Sequence, residues 1–428
     1  MRETDETAGR RPTSRPHRNM NRNDSSTIAI EDLRRLVVHA SGLGNLAPFG
    51  RGRSGTGRAL DHLGHVQIDT ISVVTRAHDH ILASRVPGYR PEHLQQLIAR
   101  REAFEYWAHA AAFLPMADYR HALPRMQRLA GGGQHWGRDK RREMTRVLDR
   151  IRQDGPLRAR NFDAPAGHKG GWWSWKPAKW ALERLFQEGQ LMVVGRTGFE
   201  KVFDLTERVL PEVVDTRPPS LDDHARWLVG RARRSLGAFS ARHVRYQRRE
   251  EGLAGAVDTA INVAMEQGEL LQVSHPALPA GRHWYVDPVG LAQSDRRIAR
   301  RVRALSPFDP LLIHRDRLLA LFGFDYQLEC YLPEPRRRYG YFSLPLLAGT
   351  RFIGRADCKA LRADRLLLCR HLALEPGEVP PDVEKILDGF AALARMNACD
   401  RIQVERVSGV PDRDARRLAR AISSAPVA

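Results

Sequence analysis

Ile151-Arg-Gln-Asp-Gly-Pro-Leu-Arg-Ala-Arg160 leads into a helical stretch ending Leu185-Phe-Gln-Glu-Gly-Gln-Leu-Met-Val-Val194, and Ser235-Leu-Gly-Ala-Phe-Ser-Ala-Arg242 leads into another ending Met265-Glu-Gln-Gly-Glu-Leu-Leu-Gln-Val273. The two lie about 80 residues apart, the kind of offset that marks a repeated supersecondary unit. An outbound strand follows each, Lys201-Val-Phe-Asp-Leu205 and His283-Trp-Tyr-Val-Asp287. Each unit therefore reads as a helix, a glycine turn, a short helix, a longer helix stopped at Gly189 or Gly268, and two strands joined by a polar loop. That order is a winged helix, with wings around Gly195-Arg-Thr-Gly198 and around residues 276–282.

A weaker third copy is expected over residues 28–140, with helices over 30–41 and 56–63. The repeated units occupy 141–216 and 217–304. After Leu305-Ser-Pro-Phe-Asp-Pro310 the texture changes to strand-like runs over 339–347, 351–355 and 365–372, then a helix over 382–395 and a strand over 401–407. The fold class is α+β: tandem winged-helix (helix-turn-helix) domains followed by a C-terminal α+β domain over 305–428. Residues 1–27 hold no Leu, Ile, Val or Phe and carry Arg10, Arg11, Arg15 and Arg18, so they are expected to be a disordered basic tail, without the apolar stretch of a secretory signal.

The chain has 428 residues, enough for about two to four domains, and its 42% hydrophobic content is that of a globular protein. Lys and Arg number 69 against 50 Asp and Glu, a net charge of +19 that favours a polyanionic partner such as nucleic acid. Only seven of the 69 are lysines, so part of the excess reflects codon composition rather than phosphate contacts. Cys330, Cys358, Cys369 and Cys399 form no Cys-x-x-Cys pair, which argues against a cysteine-rich zinc site or an iron–sulfur cluster and fits a reduced cytoplasm. No apolar run approaches the roughly 20 residues of a membrane helix. No metal helix, nucleophile elbow or dinucleotide fingerprint stands out, and Gly131-Gly-Gly-Gln-His-Trp-Gly137 lacks the context of a phosphate loop, so no metal or other cofactor is expected.

Chemistry concentrates in Gly64-His65-Val66-Gln67-Ile68-Asp69-Thr70-Ile71. In an extended strand Val66 and Ile68 anchor in a core while Gln67 and Asp69 point together into a cleft. A carboxylate beside a carboxamide can polarise a water and stabilise developing positive charge, the need of N-glycosidic cleavage through an oxocarbenium-like state. The competing reading makes Asp69 the cap of a helix over 71–86. Lys169-Gly-Gly-Trp-Trp-Ser-Trp-Lys-Pro177 sets Trp172, Trp173 and Trp175 between Lys169 and Lys176, either as a stacking wedge with phosphate-touching lysines or as buried aromatics at a helix entrance. In Glu105-Tyr-Trp-Ala-His-Ala-Ala-Ala-Phe-Leu-Pro115, His109 either faces the cleft or is a structural histidine. Arg76 and Lys179 complete the expected DNA contacts, and Arg336-Arg-Arg338 is either a phosphate contact or a solvated charge run.

Leu63-Gly-His-Val-Gln-Ile-Asp-Thr-Ile71, Glu105-Tyr-Trp-Ala-His109, Gly171-Trp-Trp-Ser-Trp-Lys-Pro177, Leu305-Ser-Pro-Phe-Asp-Pro310 and Tyr339-Gly-Tyr-Phe-Ser-Leu-Pro-Leu-Leu347 together resemble the tandem winged-helix DNA glycosylases of the YcaQ type, in order, over about residues 28 to 410. The resemblance implies a monofunctional enzyme of base-excision-type repair that excises N7-alkylated purines and unhooks interstrand crosslinks in double-stranded DNA, with Gln67-Ile68-Asp69 as its central motif and Asp69 and Gln67 as catalytic residues. Asp at the third place resembles the broader branch of that family rather than the Gln-bearing one. An alkylated N7 makes the base a good leaving group, so one carboxylate and a positioning amide suffice, and without a lysine in the motif no Schiff-base step is expected. A crosslinked base cannot swing fully out of the duplex, so the cleft is expected to be open. Three fused units without dimerising heptads suit a cytoplasmic monomer. The competing class is a non-enzymatic winged-helix DNA-binding protein, a regulator or architectural factor.

Overall fold

The computed structural model describes residues 26–132, 141–162, 177–376 and 383–427. Helices Arg141–Asp154 and Pro177–Gln187 precede a hairpin of Leu191–Thr197 and Glu200–Leu205. Helices Leu221–Leu236, Ala241–Val244 and Leu253–Glu266 precede antiparallel strands Leu271–Ser274 and Trp284–Val286. The same order of helices and paired strands thus occurs twice, because each last helix presents one apolar stripe to its neighbours. In Leu253–Glu266, Leu253, Ala256, Val257, Ala260, Ile261 and Ala264 recur every three or four residues and are buried. In Pro177–Gln187 the buried set is Ala178, Ala181, Leu182, Leu185 and Phe186.

The two copies differ in what completes their sheets. Among the described residues the first hairpin is edged only by Leu157, which exchanges two 2.9 Å hydrogen bonds with Phe203, whereas the second belongs to a four-stranded sheet with Ala238–Phe239 at the corresponding edge and Ser26–Thr27 as an added parallel strand on the other side. Near the N-terminus, helices Ile30–Ala40 and Gly52–Leu63 lead to the motif strand Val66–Gln67. That strand pairs with Ala111–Pro115, itself the partner of Ala103–Trp107, in a three-stranded sheet.

The helix expected over 71–86 is confined to Ala77–Ala83. The chain ahead of it is drawn into the C-terminal core, where Val74 is fully buried, the Val73 carbonyl accepts from Ala360 N–H at 2.9 Å and the Val74 carbonyl accepts from Arg362 at 3.1 Å. Backbone carbonyls satisfied from another element have no need of a helical ladder. Tertiary pairing overrides local propensity here.

From residue 302 onward, Val302–Ala304, Ser343–Ala348, Arg351–Leu361, Leu366–Leu374 and Arg401–Val404 form a mixed sheet, with Val407–Ser408 as a further strand beside Leu366–Leu374 and helices Val383–Met396 and Asp412–Ser423 packed on the core. The bend at Tyr339–Gly340 is shaped by carboxylates: Glu329 accepts from both backbone N–H groups at 2.8 and 3.1 Å, and Asp357 from Phe342 N–H at 2.9 Å. Gly340 sits at φ +123°, and a Cβ there would lie 2.2 Å from Asp357 Oδ2, so only glycine fits.

Two buried ion pairs fasten these parts. Arg85 and Asp309, both fully buried, make a two-pronged pair at 2.7 and 2.9 Å, and Asp309 also accepts from Leu311 N–H at 3.0 Å. This is the task of the aspartate in the Ser-Pro-Phe-Asp-Pro stretch. Glu105 is gripped by Arg196 at 2.8 and 3.0 Å, tying the hairpin beside the motif strand to the first copy's hairpin. Removing one partner of such a pair costs about 3–5 kcal/mol, since the other charge stays buried. The four cysteines are free thiols, and among the described residues no helix is long and apolar enough to cross a membrane.

Candidate active site

The motif begins where a helix must stop. Gly64 closes Gly52–Leu63 at φ +71°, and a Cβ on it would meet the Arg231 guanidinium at 2.3 Å, so glycine both reverses the chain and lets Arg231 approach. The ladder then pairs Val66 with Phe113 and Gln67 with Ala112, and continues one step further as Ile68 N–H donates to the Ala111 carbonyl at 2.8 Å. Val66 and Ile68 are buried in the core, as alternation requires. Gln67 is buried too. Asp69 falls just past the strand end and is half-buried.

Gln67 is held from the turn of the adjoining hairpin. His109 Nε2 lies 3.0 Å from Gln67 Oε1, and with the amide oxygen accepting, the ring donates. Burial, reinforced by the charges of Arg231 and Arg248, pulls His109 down to about 4, so the ring is neutral at neutral pH. Its neighbours continue the same environment: His65 edge-on at 5.2 Å between centroids, Tyr246 at 5.8 Å, His314 4.7 Å from Tyr246, and His243 5.1 Å from His314. Arg231 donates to His65 Nδ1 at 2.8 Å and stacks over Trp227 at 4.6 Å. Burial holds His65 and His314 well below the ordinary histidine value. A cavity of about 90 Å³ lies among these rings, between the motif and the second repeated copy.

Asp69 has different company. Its Oδ1 accepts from Ile71 N–H at 2.7 Å, a turn closed by its own chain two residues on. It does not cap the helix Ala77–Ala83, whose N-cap is Arg76. Among the described residues its other carboxylate oxygen accepts no hydrogen bond. Burial pushes the Asp69 carboxyl up from the ordinary aspartate value, opposed by the Ile71 N–H. Its charge reaches Cys330 and exposed Tyr331, whose own ionisations are raised first by burial and then in part by Asp69. Arg336, Arg337 and Arg338 follow on that segment, with Arg337 over Tyr341 and Arg338 over Tyr339. The geometry thus offers an oriented amide and, past the strand end, a carboxylate with one oxygen open.

The remaining expected residues are spread out. Arg76 stacks on Phe199, at the tip of the first copy's hairpin, 4.0 Å from the ring centroid. Lys179 is exposed on Pro177–Gln187. Lys169, Trp172, Trp173, Trp175 and Lys176 lie outside the described residues. Arg231, Tyr246, His314 and Tyr331, absent from the sequence-based set, come to the motif from more than 150 residues away, and no local pattern marks them. His65 carried a signal, standing two places before Gln67.

A family model described as DNA glycosylase AlkZ-like matches residues 60–396, well over half the chain. Among solved structures, the Streptomyces sahachiroi DNA glycosylase AlkZ is similar, with a TM-score of 0.58 and 15% sequence identity, covering 89% of this chain and 100% of that one. At that identity the likeness speaks for the fold.

Proposed function

As a chain that belongs to the AlkZ-like DNA glycosylase family, this protein is a DNA glycosylase, and we propose that it is a monofunctional one that removes N7-alkylated purines from duplex DNA and unhooks interstrand crosslinks formed through the same position. The observation that carries the reading is the division of labour in Gln67-Ile68-Asp69. The amide is oriented by a neutral histidine, and the carboxylate keeps one oxygen open beside the strand end.

Alkylation at N7 leaves the purine cationic, so the bond from C1′ to N9 breaks with its electron pair passing to the base and no acid needed. Asp69 stabilises the positive charge growing on the sugar and takes the proton from the water that adds to C1′. Gln67, with its oxygen committed to His109, presents its NH₂ group to the water or the nucleotide. A raised carboxyl pKa serves the proton-accepting role, because the conjugate base is stronger. No lysine lies in the motif, so the product is an intact abasic strand.

The two repeated copies and the segment before them are read as tandem winged helices, over 28–140, 141–216 and 217–304, that grip backbone while the motif meets the lesion within the stack. Such a reading suits a monomer whose bulky crosslinked substrate need not be fully flipped. The test is incubation with a duplex carrying one N7-methylguanine, and with a crosslinked duplex, followed by alkali. Wild-type cleavage that collapses in Asp69→Asn while DNA binding survives supports the proposal. Intact strands from both duplexes, with binding retained, overturn it.

A further inference from the structure

A second cavity, of about 430 Å³, opens on the far side of the hairpin turn that carries His109. It lies between Ala103–Trp107 and Leu123–Ala130 on one wall and the loop over 246–250 on the other, within the size range of small-ligand sites. Ala108 and Arg248 line both this cavity and the histidine-lined one.

Its polar lining is cationic and under-paired. Arg125, Arg128, Arg248 and Arg249 face two carboxylates, Glu250 and Asp118. Asp118 is committed to the Trp227 indole N–H at 2.8 Å. Glu250 is shared between Arg128 at 3.6 Å and Arg248 at 3.9 Å, both long contacts. Arg125 Nε and Glu250 Oε2 are buried without a hydrogen-bond partner, and Arg249 is exposed and makes no ion pair among the described residues. Gln247 holds a left-handed backbone at φ +55°, strain of the kind that persists where surroundings enforce it, in the loop that presents Arg248 and Arg249. Aromatic surface completes the wall: Arg125 lies over Trp107 at 5.1 Å, and His121 stacks flat on Trp227 at 4.2 Å.

Four guanidiniums against two carboxylates, with a buried N–H unclaimed, call for an anion with several acceptor oxygens. Arginine forks match phosphate, and the indole rings of Trp107 and Trp227, covered by Arg125, His121 and Arg231, hold the cationic wall in place. We propose that this cavity is a phosphate-binding pocket that seats one backbone phosphate of the bound DNA strand, one hairpin turn from Gln67. The assignment rests on the glycosylase reading only for its occupant; the shared chemistry is a phosphate, and a free phosphate is the other source.

The test is binding of a fluorescein-labelled duplex with one N7-methylguanine across a salt series, for wild type, Arg128→Gln and Arg125→Gln, with thermal melts to verify folding. Arg128 is partly exposed, so its variant reads the pocket even if Arg125→Gln fails to fold. Each variant is expected to lower the slope of log affinity against log salt by about 0.9, the effect of one phosphate contact. A neutral methylphosphonate walked along the strand should find one linkage that weakens wild-type binding yet adds nothing in Arg128→Gln. Displacement of the duplex by inorganic phosphate beyond an equal ionic strength of chloride, with no such linkage, overturns the DNA-strand assignment in favour of a free anion. Unchanged slopes with no coupled linkage overturn the pocket itself. Alkali cleavage of the same duplex separates the two readings. Abasic product with unchanged slopes leaves the glycosylase reading standing without the pocket, and lowered slopes without product do the reverse.

Discussion

Gln67 and Asp69 are two residues apart, yet they belong to two differently built regions. Around Gln67 the structure is assembled from afar: a hairpin turn supplies His109, the second repeated copy supplies Arg231 and Tyr246, and His314 closes the group. Around Asp69 the arrangement is local, a turn closed by Ile71 N–H, with Cys330 and Tyr331 within reach of its charge. An amide acts through direction and must be aimed by tertiary contacts. A carboxylate acts through charge and basicity, for which partial burial and an open oxygen are enough.

The largest effect that sharpens this contrast is Asp69→Asn. Abasic-site release should fall about 100-fold or more while duplex affinity holds, the loss expected when a proton acceptor is removed. The same substitution should slightly raise the melting temperature at neutral pH. The folded-state pKa of Asp69 lies above its unfolded value, so its ionised form disfavours folding at neutral pH, and the gain in the variant vanishes below the ordinary aspartate value of 3.8. Retained activity, or a clear loss of stability, would break the assignment of the carboxylate to chemistry.

Next comes Gln67→Ala, with a loss of about tenfold to hundredfold in single-turnover rate if the amide orients the water or nucleotide. His109→Ala should follow at about tenfold, the value of one well-placed hydrogen bond. The two should be strongly non-additive in a double-mutant cycle, because His109 acts through Gln67. Partial recovery with His109→Gln, which can still donate to the amide oxygen, would support a positioning role, whereas additive losses would argue for separate tasks.

The smallest effect is a pH dependence that separates the two regions. His109 and His121 are pulled to about 4 and His224 to about 3, mainly by burial. Their folded-state values lie below the ordinary 6.5, so the unfolded chain binds more protons between those limits. Stability should therefore be full above about 6.5 and decline as pH falls toward 4. Denaturant midpoints measured across that window check it, and replacing His224 by Gln should flatten the decline. The acid limb of single-turnover rate should instead follow Asp69, lying above the ordinary aspartate range and disappearing in Asp69→Asn.

Much of this was legible in the sequence because short-range rules carry it. The repeated helix-and-hairpin order follows from glycine stops and apolar periodicity, and both hairpins stand where Gly195 to Gly198 and residues 276–282 promised. Helix 30–41 appears as Ile30–Ala40. The failures have one cause. Residues 71–76 carry nothing locally that forbids a helix, and only the C-terminal core's claim on Val73 and Val74 holds them extended. Likewise, the aspartate of Ser-Pro-Phe-Asp-Pro and the glutamate of Glu-Tyr-Trp-Ala-His read as landmarks, and their work as buried ion-pair partners of Arg85 and Arg196 shows only in three dimensions.

By itself the sequence determined the class of fold, the basic character of the chain and the motif Gln67-Ile68-Asp69, since charge, periodicity and turn chemistry act over a few residues. Only the tertiary structure decided that Gln67 is aimed by a neutral histidine, that Asp69 closes its own turn instead of capping a helix, and that four arginines converge behind the hairpin. Ring stacking, desolvation and the sharing of carboxylates depend on distances between residues far apart in the chain, and those distances exist only once the units have packed.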